Sequence, residues 1–530
     1  MGGGVGFRST GLDDKLIVLG QKRNNPYSVA NMTTAWNNLY DPDYTELPAT
    51  HLYVRFLPQD MEDLKILYDL EDSLNLDFDD YPLEYEILED GDHYHDPSIP
   101  EDQPTWLYTV VAPDFVFPNI QYEILEQVIL APYYSVLTAE AFRITGNEYD
   151  DTGWESVICL EGCPAWLCCI FEPLTCESPC ENPPCTPDSP NWPECLGIDP
   201  PDPPTITNDC GCLIPGDPKI SAGCIRVDDT QLGPEGVRHL KIVVKDGFLQ
   251  RIVTQSDDQG CWKVNKRHGG RVKVKIKFQN DKAKFRAIRQ LSHFWQYGQV
   301  LKHKIVSQNP PYNDISVLYI QDSDMESKAR ARWYAATGNN ALHEFYEFAN
   351  QDGILVPPNK LDVLLTPSES GEVTLMLDEI NNSPSNWYTQ AQLLYLLVGD
   401  NPLFLPVASV FIAYINIWAP DIVYNHGAET KKSDNVKKSY YHEFAHASHF
   451  RALDNDSYWI NNGWYIAGNW VTNTNPPYGD GTAPGAERCA VIEMWAYHMD
   501  PIYADRQYGV NHSNGGVLPQ DVVANMRWFN

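Results

Sequence analysis

The amino-acid sequence predicts a multidomain chain: an α+β N-terminal domain, a Cys/Pro-rich disulfide segment, an all-β unit and an α+β C-terminal domain. Three observations lead there. At 530 residues the chain exceeds what one hydrophobic core fills, so three or four domains are expected. Twelve of the thirteen cysteines fall between Cys159 and Cys261, nine of them before Gly211 among many prolines. Apolar periodicity is strand-like from residue 216 to about Ala287, and beyond it changes to helices separated by short strands.

Residues 1–45 carry few periodic signals and are expected to form an arm. Residues 46–149 read as an acidic α+β domain, with a strand at Leu52–Phe56 and a helix near Asp60–Leu70. Its acidic segments, Asp77–Ile87 and Tyr94–Pro97, lack a D-x-D-x-D-G calcium loop and are expected to be solvated acidic turns. In residues 150–215 the cysteines read as a disulfide framework stapling a segment poor in apolar residues, which implies an oxidising compartment. Asp199-Pro-Pro-Asp-Pro-Pro204 closes that segment as a stiff extended spacer.

Residues 216–290 read as all-β. Val237–Val244 and Phe248–Thr254 form a hairpin turning at Asp246-Gly247, and Ser256–Gly260 turns into a strand at Cys261–Val264. From Lys263 to Arg289 the chain is strongly basic. Alternation there places Val272, Val274, Ile276 and Phe278 on one face and cations on the other, a face expected to be solvated or paired with acidic neighbours. The strand, D-x-x-G turn, aromatic and further strand resemble the transthyretin-like, carboxypeptidase-regulatory-like β-sandwich over about seventy residues. That resemblance implies a non-catalytic spacer or binding module. Cys224 and Cys261 then lie on neighbouring β elements, and a bridge between them is expected.

Residues 291–530 read as the α+β domain. Helices are expected at Ala329–Ala349 and Trp387–Val398, and strands at Leu361–Leu365, Glu372–Met376 and Val410–Trp418. The apolar run Leu403–Trp418 contains Pro406 and Asn416 and is too short to span a bilayer, so no transmembrane segment is expected. Pro420–Asn425 is expected as an edge strand, and the aromatic and Gly-rich stretches Tyr458–Tyr465 and Asn475–Gly481 as a loop wall.

His442-Glu-Phe-Ala-His446 carries the clearest chemistry. On a helix, positions i and i+4 share a face, so both imidazoles can reach one tetrahedral Zn²⁺, and Glu443 stands beside it as a general base. Asp434 or Asn435 is expected to cap this helix, and Asp454-Asn455 to end it. His449 shares the face but lies too far along the axis to join the same ion. The metzincin pattern, with Gly at 449 and a ligand at 452, is absent. A second helix is expected over Ala486–Asp500, with Glu493 followed by the small Ala496.

A helical glutamate followed by a small residue, on a helix packed against H-E-x-x-H, resembles the gluzincin group of zinc metallopeptidases. The resemblance implies a zincin-like C-terminal domain holding Zn²⁺ through His442, His446 and Glu493, with Glu443 as general base. Glu487 is the alternative third ligand, and Cys489, one turn before Glu493, reads as a buried thiol or a competing ligand. Tyr497, His498 and His512 are candidates for stabilising the oxyanion, and Asp500 for orienting a ligand histidine.

The expectation is therefore a secreted or cell-surface protein of bacterial origin that hydrolyses a peptide or protein substrate. The competing expectation is a non-catalytic adhesin or fibre subunit, with cell-surface or self-assembly contacts and a structural or vestigial zinc site. The 15 Trp and 30 Tyr also fit carbohydrate binding, without a specific motif. A net charge of −34 argues against nucleic-acid partners. Residues 1–6 lack a basic stretch followed by an apolar one, so a mature form or a fragment is expected.

Overall fold

The computed structural model describes residues 13–149, 187, 192, 205–380 and 417–509, excepting 41–42, 101–102, 133–134, 247, 269–271, 289–297, 308–309, 326, 368–371, 428, 473–477 and 480. The cysteines from Cys159 to Cys195, the Pro-rich spacer, the Trp387–Val398 helix, most of the Leu403–Trp418 run and His512 lie outside the described residues.

The first unit holds β1 (Val18–Lys22), α1 (Val29–Leu39), β2 (His51–Leu57), α2 (Met61–Ser73), β3 (Tyr85–Glu89), β4 (Leu107–Val111), β5 (Gln121–Val128) and α3 (Val136–Thr145). Strands β4-β2-β5 form an antiparallel sheet, and β1 pairs with β3. Helix α2 starts where Asp60 accepts hydrogen bonds from the Glu62 and Asp63 amides, and it buries Leu64, Leu67 and Tyr68 at helical spacing. Residues 13–40 are not the irregular arm expected from their weak periodicity. Helix α1, capped by Ser28, places Met32, Ala35 and Trp36 in a core with Tyr27, Tyr53 and Phe142.

Next come β6 (Thr205–Thr207), β7 (Leu213–Pro215), β8 (Ile220–Asp229), β9 (Gly233–Gly236), β10 (Lys241–Asp246), β11 (Gln250–Gln255), β12 (Cys261–Arg267), β13 (Val272–Lys277), β14 (Ala283–Ala287), β15 (Lys302–Ser307) and β16 (Val317–Tyr319). One sheet runs β11-β10-β13-β15; another runs β12-β8-β16, with β9 beside β8. The expected hairpin is present, from Lys241 opposite Gln255 to Asp246 opposite Gln250. The expected cysteine bridge is not. Cys224 and Cys261 are cross-strand neighbours, but Cys210 bonds to Cys224 and Cys212 to Cys261. The C-G-C turn, with Gly211 at φ +83°, lays one thiol against each strand.

The cation face of β13 is buried rather than solvated. Lys275 Nζ lies 2.9 Å from both Asp77 carboxylate oxygens, and Lys277 Nζ lies 2.9 Å from Glu71 and 3.0 Å from Asp77. Lys245 joins Asp77 at 2.5 Å and also contacts Asp79. The Asp77–Asp80 segment is likewise no solvated turn; it is the acidic half of this layer. Burial alone would raise the Asp77 carboxyl, but Lys245, Lys275 and Lys277 hold it well below the usual range. Asp79, under the same opposing influences, is lowered to about 2. Lys273, facing Tyr81 at 3.0 Å, is pushed down to about 7 by burial that Asp79 and Asp90 only partly offset.

The remaining elements are α4 (Lys328–Asp352), β17 (Leu361–Thr366), β18 (Val373–Thr374), β19 (Ile422–Asn425), α5 (Ser433–Leu453), α6 (Asp456–Thr472) and α7 (Ala486–Tyr508). Their sheet runs β14-β17-β19-β18; β14, β17 and β19 are parallel, and β18 is antiparallel to β19. Ile422–Asn425 is thus an inner strand, and the two-residue β18 is the outermost. Ile417 and Trp418 are helical, not strand. Tyr458–Tyr465, expected as a loop, lies within α6. Helix α4 is buried on nearly all sides, and a side chain at Gly338 would meet the Tyr440 ring of α5 at 2.4 Å. That missing side chain lets α4 and α5 pack closely enough for the Tyr440 hydroxyl to donate to the Tyr334 carbonyl at 3.1 Å. No described helix is long and apolar enough to cross a membrane.

Candidate metal centre

Helix α5 supplies His442, Glu443 and His446, and its position is fixed from three directions. At its start, neither Asp434 nor Asn435 is the cap. Lys432 occupies that position, and the Ser433 amide donates to Thr230 Oγ1 at 2.8 Å while Ser433 Oγ accepts from the Thr230 amide at 2.9 Å. Five residues before His442, the fully buried Lys437 Nζ lies 2.7 Å from Glu344, 2.9 Å from Glu235 and 3.7 Å from Asp229. Across from α5, helix α7 closes in through the fully buried Ala496, with Trp495 Nε1 donating to the Ala445 carbonyl at 3.1 Å. The C-terminal end is as expected, with Asp454 in the left-handed conformation at φ +45°.

The packing of α5 against α7 brings His442, His446 and Glu493 into one group that could hold a metal ion, their ligand atoms all within 4.8 Å of one another. The two Nε2 atoms are 3.1 Å apart, and Glu493 Oε2 lies 3.5 Å from His442 Nε2 and 3.6 Å from His446 Nε2. A tetrahedral ion with bonds of about 2.0–2.2 Å needs donor atoms about 3.3–3.6 Å apart, close to these separations. The donor set also fits. Asp500 Oδ2 lies 3.0 Å from His442 Nδ1, an arrangement that holds a proton on Nδ1 and leaves Nε2 facing the group. Glu493 Oε2 is buried and aimed into the group.

The electrostatics are those of histidines and carboxylates buried against one another. Burial would depress the His442 imidazolium, but hydrogen bonds to Asp500 and Glu493 and the charges of Glu443 and Glu493 raise it to about 10. Burial would raise Glu493, but the His446 charge and hydrogen bonds from both histidines hold it far below the usual carboxylate range. Glu443 is raised, because burial outweighs the neighbouring His442 and His446 charges and the Thr374 hydrogen bond.

Other sequence-predicted residues divide. Tyr497 is close, its ring 4.6 Å from that of His442; burial first, then Glu493, Asp500 and Glu443, push its phenol up to about 12. His498 is on the exposed face of α7, outside the group. Glu487 accepts from the Gly485 amide at 3.2 Å at the helix start and does not join the metal group. Cys489 is a free, buried thiol raised by burial and by Glu493, also outside the group, and His449 lies beside Trp495 with ring centroids 6.4 Å apart. Two residues carry no sequence signal. Thr374, on β18, donates to Glu443 Oε2 at 2.7 Å, and Tyr478 hydrogen-bonds through its side chain to Tyr497.

Comparison with protein-family models, curated proteins and solved structures finds no match for this chain.

Proposed function

We propose that the chain is a secreted zinc-dependent metallopeptidase of the gluzincin type, with a peptide or protein as substrate. One observation carries the reading: His442, His446 and Glu493 converge, with Glu443 on the same helix immediately after the first histidine. Zinc, when bound, lowers the pKa of a bound water to about 7 and polarises the scissile carbonyl. The chain's own residues supply the proton handling. Glu443, buried and shifted toward its neutral form, takes a proton from the attacking water and returns it to the leaving amine. Asp500 orients His442 through Nδ1, and Tyr497, packed on the His442 ring and protonated throughout the neutral range, is assigned as the donor to the developing oxyanion.

The two disulfides among the described residues support an oxidising, extracellular setting. The two sheets β11-β10-β13-β15 and β12-β8-β16 support a sandwich-like module, and their shared core with α4, α5 and α7 supports a role in holding the catalytic helices. The test is elemental analysis followed by a mixed peptide library. About one zinc per chain and chelator-sensitive cleavage are expected, with Glu443→Gln keeping the metal and losing turnover. Zinc without any turnover by the wild type would favour the non-catalytic surface protein instead, and turnover by Glu443→Gln would refute the role of Glu443.

A further inference from the structure

The Glu443 carboxylate must be aimed as well as present, and the residue that aims it comes from outside the H-E-x-x-H helix. Thr374 is 8% exposed and stands on β18, the outermost strand of its sheet. Its hydroxyl lies 2.7 Å from Glu443 Oε2 and 3.0 Å from the Glu443 main-chain carbonyl. One oxygen is thus within hydrogen-bond reach of both the backbone and the end of the same glutamate. The carboxylate cannot swing about its side-chain bonds without leaving it. The shorter of the two contacts is the charge-assisted one, the stronger kind.

The hydroxyl is itself held. Thr374 pairs with Ile422 of β19. The next two amides, of Leu375 and Met376, both donate to the Asp421 carbonyl, at 2.6 and 3.0 Å. Trp459 Nε1 of α6 donates to the Leu375 carbonyl at 3.2 Å. A two-residue strand would be a poor anchor alone; here β19 on one side and α6 on the other fix it.

We infer that Thr374 is a positioning residue, which occupies Glu443 Oε2 and so holds this carboxylate in one orientation beside the metal group, leaving Oε1 to face the reacting water. This rests on the peptidase reading for its kinetic consequence, but not for its geometry. The alternative is that Thr374 only docks strand to helix.

The test compares the zinc-loaded wild type with Thr374→Val, which keeps the branched shape without the hydroxyl, and Thr374→Ser, which restores the hydroxyl. In crystal structures the Glu443 carboxylate should take one position in the wild type and the serine variant, and a shifted or split one in the valine variant. With zinc content, melting temperature and KM unchanged, kcat of Thr374→Val should fall about 10- to 100-fold, and Thr374→Ser should recover to within about threefold of wild type. An unmoved carboxylate in Thr374→Val overturns the inference. So does an unchanged kcat, or a loss of kcat that tracks a loss of zinc or melting temperature and that serine does not repair. A wild type that cleaves no peptide would sink the proposed function alone, since the crystal structures would still decide where Thr374 holds Glu443.

Discussion

Zinc affinity should rise steeply with pH, because the metal-free protein holds a proton where the metal must bind. His442 is raised to about 10, so at neutral pH its imidazole is charged before metal arrives. Glu493 is held far below the usual range, is already ionised and contributes no proton to the exchange. Binding therefore expels one proton from His442, and each pH unit below about 10 costs about 1.4 kcal/mol of affinity, or about 4 kcal/mol at pH 7. The sign follows from the direction of the shift: a raised histidine favours the charged form, which excludes the metal, so raising the pH strengthens binding. The assay is competition with a chromophoric chelator at fixed free zinc between pH 7 and pH 9, where a gain approaching tenfold per unit is expected. Asp500→Asn removes the Asp500 carboxylate whose hydrogen bond sustains the shift and should move the steep region to lower pH. An affinity flat across this range would refute the claim that His442, Asp500 and Glu493 form one proton-linked unit.

Measured at pH 9, where the His442 proton competes least, Asp500→Ala should weaken zinc binding about 10- to 100-fold, as loss of a carboxylate behind a ligand histidine does. Acid should loosen the layer between the first unit and the β13 sheet. Asp79 is lowered to about 2, so its stabilising contribution is complete above the unfolded value near 3.9, and about 2–3 kcal/mol is lost as the pH falls through about 2. The first unfolding transition, followed by urea titration between pH 5 and pH 2, should drop accordingly, and Asp79→Asn should flatten the dependence. Lys437→Met should destabilise the protein by about 3–5 kcal/mol, because it leaves Glu344, Glu235 and Asp229 without their buried cation. Chemical denaturation would measure this, and a variant as stable as wild type would contradict it.

What the sequence made legible was local chemistry. His442 and His446 are four residues apart, and the helix turns both inward; Asp500 and Tyr497 ride on the same helix as Glu493 and follow it into place. Thr374 falls in the expected strand Glu372–Met376, but its contact with Glu443 was not legible, because the two residues are 69 positions apart in the chain. Alternation in β13 marked a cation face correctly, but its burial depends on carboxylates about 200 residues upstream, beyond any pattern in the strand itself. Tyr458–Tyr465 reads as a loop because Asn461-Asn462-Gly463 disfavours a helix. Packing overrides that preference, through Trp459 on Leu375 and Tyr465 hydrogen-bonded to the Tyr478 carbonyl at 2.8 Å. The disulfides show the same limit. Strand register placed Cys224 beside Cys261, but the choice of partner was made by a turn carrying two further thiols.

The β strands upstream are tied directly to the helices that carry the candidate metal group. Asp229 ends β8, Glu235 lies in β9, Glu344 is on α4, and all three surround Lys437 of α5. Helix α7 closes the same knot from its far end. It continues through Pro501, past the expected stop at Asp500, and brings the Tyr508 hydroxyl to Asp229 Oδ2 at 2.6 Å. Glu344 receives a second hydrogen bond, from the Tyr441 hydroxyl beside His442. The helix carrying His442 and His446 and the helix carrying Glu493 are thus both tied to one pair of strands, the first through Lys437 and the second through Tyr508 on Asp229. Three ligands from two helices can meet within about 0.5 Å of the geometry a metal needs only if those helices share a rigid reference, and here that reference is supplied by β8 and β9.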